Sequence, residues 1–190
     1  MGKTLILGIG NILWADEGFG VRAVEAFHRA VELPDDVTLL DGGTQGLYLV
    51  NFLEDVDSLL VFDAIDYGLE PGTLKVVEND EVPKFTGAKK MSLHQTGFQE
   101  VLSAADLLGY YPSRLALIGC QPLDLENWGG PLTAPVNGRI GEAIDIALTL
   151  LNGWGIDARR RVVPLPESAG LLTNDIGQAA YERAANPTLV

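Results

Sequence analysis

Near its N-terminus the chain runs from an apolar stretch, Leu5-Ile6-Leu7, into Gly8-Ile9-Gly10-Asn11. Two adjacent carboxylates, Asp16 and Glu17, follow where a helix is expected to begin. Buried strand, glycine turn and helix make the opening unit of an open α/β sheet, and such sheets place their ligands outside the carboxyl ends of their strands. This one stretch therefore sets both a fold class and the edge on which chemistry is to be sought.

The remaining pattern repeats the unit. Strand one covers roughly residues 3–8, and a helix from Asp16 or Glu17 carries Val21, Val24, Phe27 and Val31 at helical spacing. Apolar runs at 37–40 and 59–62 read as buried strands closing on Asp41-Gly42-Gly43 and Asp63-Ala64, with a short helix over 47–52 between them. Glu70-Pro71-Gly72 is a turn into an alternating strand, 73–77, that suits an antiparallel edge. A helix from Ser92 to about Leu108 opens on a Ser92/Gln95 capping box and has Phe98, Val101, Leu102, Ala105 and Leu108 on its buried stripe. A strand at 114–119 ends at Cys120, and a loop with Trp128-Gly129-Gly130-Pro131 leads to a last helix over about 136–151. Alternating strands and helices imply a mostly parallel sheet covered on both faces. Residues 1–151 form one α/β domain in this reading. Residues 152–190 form a loosely ordered tail with a solvated Arg159–Arg161 run and a short helix near 178–184.

Charge narrows the function. The net charge is −13, and residues 1–151 carry 9 basic and 22 acidic side chains against four of each in residues 152–190. A nucleic-acid surface needs clustered Lys and Arg, and so does an anionic membrane face. Neither partner is expected. No uncharged apolar stretch approaches the length of a membrane span, so no membrane insertion is expected. The single cysteine excludes an intrachain disulfide and fits a reducing cytoplasm.

Four features carry candidate chemistry. Gly8-x-Gly10 invites a dinucleotide reading, but Leu13 stands where the third glycine belongs and Trp14 is bulky. Asp41 and Asp63 each end a strand, where aspartate commonly caps a turn; together with Glu17 they bring three carboxylates to one edge. His94 shares the sheet-facing stripe of its helix at the first turn, where the helix dipole favours a neutral imidazole able to ligate a metal; a satisfied core histidine is the alternative. His28 reads as a surface residue. Cys120 as a nucleophile lacks an electropositive neighbourhood. Two carboxylates and an imidazole suit a divalent first-row ion.

Gly8-Ile9-Gly10-Asn11 with Asp16-Glu17-Gly18-Phe19-Gly20-Val21 resembles the opening of the [NiFe]-hydrogenase maturation endopeptidases. So do Leu40-Asp41-Gly42-Gly43-Thr44, Phe62-Asp63-Ala64 and Ser92-Leu93-His94-Gln95, over about residues 3–151. The longer stretches 63–68 and 88–98 look like the branch serving uptake hydrogenases. The resemblance implies a three-layer sandwich with a twisted, mixed, mostly parallel five-stranded sheet. It implies Glu17, Asp63 and His94 as metal-binding positions and Asp41, with Gly42 and Gly43, as the substrate-recognition loop. The implied reaction removes a C-terminal peptide from the hydrogenase large-subunit precursor after nickel insertion; our own expectation is that the nickel arrives with that precursor. Catalytic roles are expected of Glu17, Asp63, His94 and Asp41, with Asp41 or Asp16 open as the base, in the manner of an aspartyl protease. Asp16 is expected to cap the helix and so direct Glu17. A non-catalytic nickel chaperone for hydrogenase assembly is the rival reading, and a nucleotide-binding module the more distant one.

Overall fold

The computed structural model describes residues 2–85, 93–172 and 177–178. In chain order the strands are β1 (Lys3–Ile9), β2 (Val31–Glu32), β3 (Val37–Gly43), β4 (Val56–Ala64), β5 (Leu74–Glu78), β6 (Arg114–Cys120) and β7 (Arg159–Arg160). The helices are α1 (Phe19–Ala30), α2 (Val82–Phe85), α3 (Leu93–Leu108), α4 (Ala134–Asn137) and α5 (Ile140–Gly153). Five strands form one sheet in the order β3-β1-β4-β6-β5. β1 lies parallel to β3 and β4, β4 parallel to β6, and β5 antiparallel to β6 at the edge. This is the expected mixed, mostly parallel five-stranded α/β sandwich.

Strand alternation divides the core into two layers. Leu5, Leu7 and Ile9 of β1 face one way with Leu59, Val61, Leu115 and Leu117, and α3 covers them with Phe98, Val101, Leu102 and Ala105. Ile6, Leu60, Phe62, Ala116 and Ile118 face the other way, under Phe19, Ala23, Val24 and Phe27 of α1 and Ala143, Ile144 and Ala147 of α5. Complete burial of a side chain such as Phe27 or Phe62 contributes about 2–3 kcal/mol. The helical stripe of α1 matches the expected one at Val21, Val24 and Phe27, all buried, whereas Val31, expected on the same helix, is buried as the first residue of β2.

Several expectations are corrected. Asp16 and Glu17 do not begin α1 but occupy a separate 3-10 turn, Ala15–Gly18, ahead of it. The last helix is two helices, because the chain breaks at Gly138-Arg139, where glycine has low helix propensity. Leu108 is 54% exposed rather than buried, at the last position of α3. The proposed capping Ser92 lies outside the described residues, as does nearly all of the helix expected near 178–184.

Beyond α5 the chain runs back along α1. β7 pairs antiparallel with β2, and neither strand is long enough to leave a periodic signal in the sequence. The N–H of Arg161 donates to the Ala30 carbonyl (2.8 Å) and that of Leu165 to the Arg29 carbonyl (2.9 Å). The arginine run is paired, with Arg159 and Arg160 exposed and Arg161 half-buried: Arg160 with Asp145 at 2.7 Å, Arg161 with Glu32 at 3.4 Å, Arg159 with Asp157 at 2.7 Å. His28 Nε2 lies 3.0 Å from the Ala169 carbonyl oxygen. Among the described residues no helix is long and apolar enough to cross a membrane.

The start of α1 approaches the sheet through Gly20. A Cβ there would overlap the carbonyl oxygens of both Ile9 and Phe62. Gly20→Ala should therefore cost about 3 kcal/mol and lower the thermal midpoint by roughly 6–12 °C. Gly141→Ala, inside α5 where the added methyl meets nothing, should instead stabilise by about 1 kcal/mol. Thermal unfolding of the two variants beside the parent checks both signs.

Candidate functional site

The carboxyl ends of the parallel strands form one edge. Gly8 of β1 stands in register with Asp41 of β3 on one side and Phe62 of β4 on the other. Asp63 follows Phe62 and pairs with Gly119 of β6. The sequence therefore delivers Asp41, Asp63 and the turn after β1 to a common edge, where a doubly wound sheet binds its ligands.

Asp63 shares its side of the sheet with Leu59 and Val61, the side that α3 covers, and is only 3% exposed. Burial pushes its carboxyl well above the usual carboxylate range. The charge of Glu17 pushes in the same direction, and the Ala64 N–H partly opposes both. Glu17 is half-buried in the 3-10 turn. Its backbone is fixed at both ends: its N–H donates to the Trp14 carbonyl (2.8 Å), and its carbonyl accepts from the Asn11 N–H (3.1 Å). Gly10 allows this closeness. It has φ of +141°, and a Cβ would overlap the Glu17 carbonyl oxygen. At Gly8 a Cβ would likewise overlap the Gly20 backbone. The space beside both glycines is thus filled by the chain itself, which removes the basis of the nucleotide reading.

Asp41 lies on the same edge but apart from that pair, with β1 between them. Its Oδ1 accepts from the Gly43 N–H at 2.9 Å. Burial raises its carboxyl, while that N–H and the Arg22 charge pull it down. A Cβ on Gly42 would come 2.7 Å from Leu7 Cδ1, and Gly43 has φ of +44°, so the Asp-Gly-Gly loop is folded tightly onto β1. His94 falls in the first turn of α3, and its side chain lies outside the described residues. Among the described residues no three His, Cys, Asp or Glu side chains gather closely enough to hold a metal ion. What comes together is Glu17 with Asp63. That pair fits a divalent cation, because burial and mutual repulsion both drive Asp63 towards its neutral form and a bound cation reverses both.

Asp16 is not the helix cap expected of it. The turn has no side-chain cap, and the fully buried Asp16 carboxylate accepts instead from Leu123, Asp124 and Thr133. Cys120 is fully buried, and burial with the nearby Asp16 charge pushes its thiol up to about 12. That is the reverse of an activated nucleophile.

Two neighbours of the site escaped sequence reasoning. The Gln121 Oε1 accepts from the Tyr67 and Leu69 N–H groups (2.8 and 3.1 Å), and its Nε2 donates to Asp66 Oδ1 (3.0 Å), shaping the loop after β4. The Tyr67 hydroxyl sits against Gly119, the strand partner of Asp63, and burial and the Asp63 charge both raise it. Neither contact has a short-range signature; the glycine at 119, inside an apolar strand, is the one hint of a close approach there.

Residues 21–150 match the family described as hydrogenase maturation protease. The chain is 71% identical over 180 residues to the hydrogenase expression/formation protein HupD of Bradyrhizobium diazoefficiens, covering 95% of this chain and 94% of that one. It is 42% identical over 158 residues to the hydrogenase 2 maturation protease of Escherichia coli, covering 82% and 94% of the two chains. The solved hydrogenase maturating endopeptidase HybD from E. coli superposes with a TM-score of 0.79 at 40% identity, covering 84% of this chain and 98% of that one.

Two measurements follow from the electrostatics. A raised Asp63 carboxyl favours the neutral folded form, so its contribution is intact below the unfolded value and is lost as pH rises through the folded one. Asp63→Asn should therefore be more stable than the metal-free parent at pH 8, and the advantage should vanish by about pH 4; urea unfolding at both pH values reads it. For Cys120, a thiol titrating near 12 is ionised only to on the order of one part in ten thousand at pH 8. Iodoacetamide should leave the native protein unmodified and label it fully in urea.

Proposed function

Since the chain belongs to the hydrogenase maturation protease family, and so is a peptidase of hydrogenase maturation, we propose that it removes the C-terminal extension of the nickel-loaded [NiFe]-hydrogenase large-subunit precursor. We assign the precursor to the uptake class and the reaction to the cytoplasm. The observation that carries this reading is the adjacency of Glu17 to the buried Asp63, whose carboxyl is held towards its neutral form by burial and by Glu17. An acidic pair of this kind gains most from a divalent ion, and the precursor brings one.

In this reading nickel is part of the substrate. Glu17, Asp63 and His94 receive it, and their engagement tells the enzyme that metal insertion is complete. Nickel so held supplies Lewis-acid polarisation next to the scissile bond. Asp41 and the tight Gly42-Gly43 turn, on the neighbouring side of β1, engage the precursor chain. An edge with the carboxylates grouped at its centre and exposed apolar side chains around it, such as Leu13, Tyr48, Leu69 and Trp128, suits a folded protein substrate better than a free peptide.

The test is a mass measurement. Purified protein mixed with nickel-loaded precursor should shorten the large subunit, whereas nickel-free precursor should stay intact. Glu17→Gln, Asp63→Asn and His94→Ala should each slow processing by about 100-fold or more. Unchanged large-subunit mass with bound nickel would mark a chaperone instead. Normal rates in all three variants would refute the assigned residues.

A further inference from the structure

Asp16 stands next to Glu17 in the chain but is fully buried, where Glu17 is half-buried. Both of its carboxylate oxygens are occupied. Oδ1 accepts from the Thr133 N–H at 2.7 Å. Oδ2 accepts from the Leu123 N–H at 2.9 Å, the Asp124 N–H at 3.0 Å and the Thr133 hydroxyl at 2.8 Å. The Asp16 N–H in turn donates to the Asp124 carbonyl at 3.1 Å. Hydrogen bonds to a carboxylate are stronger than neutral ones, and burial shields them from water.

All these partners belong to the segment between β6 and α4. A second attachment joins the same two segments: the Trp14 and Trp128 rings meet edge-on, 5.0 Å apart at 81°, and the Gly129 N–H donates to the Leu13 carbonyl at 2.8 Å. Between the two attachments Ala15 is held at φ +34°, a left-handed conformation that an alanine adopts only when its surroundings enforce it. The segment from 123 to 133 also carries Leu123 and Trp128, 58% and 62% exposed, at the edge where the precursor must arrive.

We propose that Asp16 is a positioning residue for the processing reaction: by gripping Leu123, Asp124 and Thr133 it aims Glu17 at Asp63 and makes the 123–133 segment one rigid piece with that ligand. The inference rests on the reading of Glu17 and Asp63 as the processing site. A helix cap would have acted on the amides of its own turn. This carboxylate acts across the fold, so it couples the surface that meets the precursor to the group that meets its nickel.

The experiment is steady-state processing of nickel-loaded precursor by Asp16→Asn, with Glu17→Gln run beside it. The amide keeps the shape of the side chain but turns an NH2 towards the N–H donors on one side, so that half of the grip is lost. Asp16→Asn should lower kcat by about 10- to 100-fold while KM changes less than about threefold, at a temperature where circular dichroism shows it fully folded. A purely structural role predicts a loss that follows the unfolded fraction and disappears on cooling, and that result would overturn the proposal. Parent-like kcat in folded Asp16→Asn with inactive Glu17→Gln would overturn the proposal alone. Parent-like kcat in Glu17→Gln would overturn both the proposal and the reading beneath it. Should Asp16→Asn fail to fold, Thr133→Val and Thr133→Ser carry the test. Loss of the hydroxyl should lower kcat at least threefold, and serine should recover at least half of the loss; equal, undiminished kcat in both overturns the proposal.

Discussion

The closeness with which α1 meets the sheet sets the position of everything at the carboxyl edge. Gly8 and Gly20 face each other across that contact, and neither has room for a methyl group. With the helix start pressed against β1 and β4, the turn before it is driven outward along the edge. Gly10 then lets the Glu17 carbonyl settle against the strand end. Small residues here do the work of bringing backbones together, and the side chain that matters is carried out by the displaced turn. A larger residue at any of the three positions would move Glu17 away from Asp63 before it touched either carboxylate.

The second determinant is electrostatic. A buried aspartate beside a second carboxylate is unfavourable for the folded chain, and besides Glu17 the described neighbours of Asp63 include the apolar strand residues, the Ala64 N–H and the Tyr67 hydroxyl. Proteins keep such arrangements where a cation, a proton or a substrate relieves them. The contrast with Asp16 is instructive, since it is equally buried but furnished with four donors. Two acids one and forty-six positions from Glu17 thus have opposite environments, one saturated with hydrogen bonds and one held towards its neutral form by burial and by Glu17.

Much of this was legible in the chain. Hydrophobic periodicity located every strand of the main sheet and, apart from Val31 and Leu108 at their last positions, the buried stripes of α1 and α3, because each of those elements packs one regular face on the core. The strand-end acids Asp41 and Asp63 were legible for the same reason: a polar residue that stops an apolar run falls at the edge. What periodicity does not record is pairing between distant loops. Asp16 looked like a cap because caps are local, whereas its partners come from Leu123, Asp124 and Thr133. Gln121 and Tyr67 were missed likewise, and the two-residue ladder of β2 with β7 is too short to show any alternation.

The bonds of the Asp16 carboxylate span 107 to 117 residues of sequence, and this gives the site a timing. As the chain emerges during synthesis, β1 and the glycine turn come first, but the long-range anchor of the turn that carries Glu17 is not complete until residue 133 has followed. The strands that flank β1, together with α1 and α3, can form while that anchor is still open. The final fixing of the Glu17 turn is therefore a late event in the folding of the nascent domain. A chain cut before residue 123 presents Asp63 beside a Glu17 turn that keeps its local backbone bonds but lacks its long-range anchor.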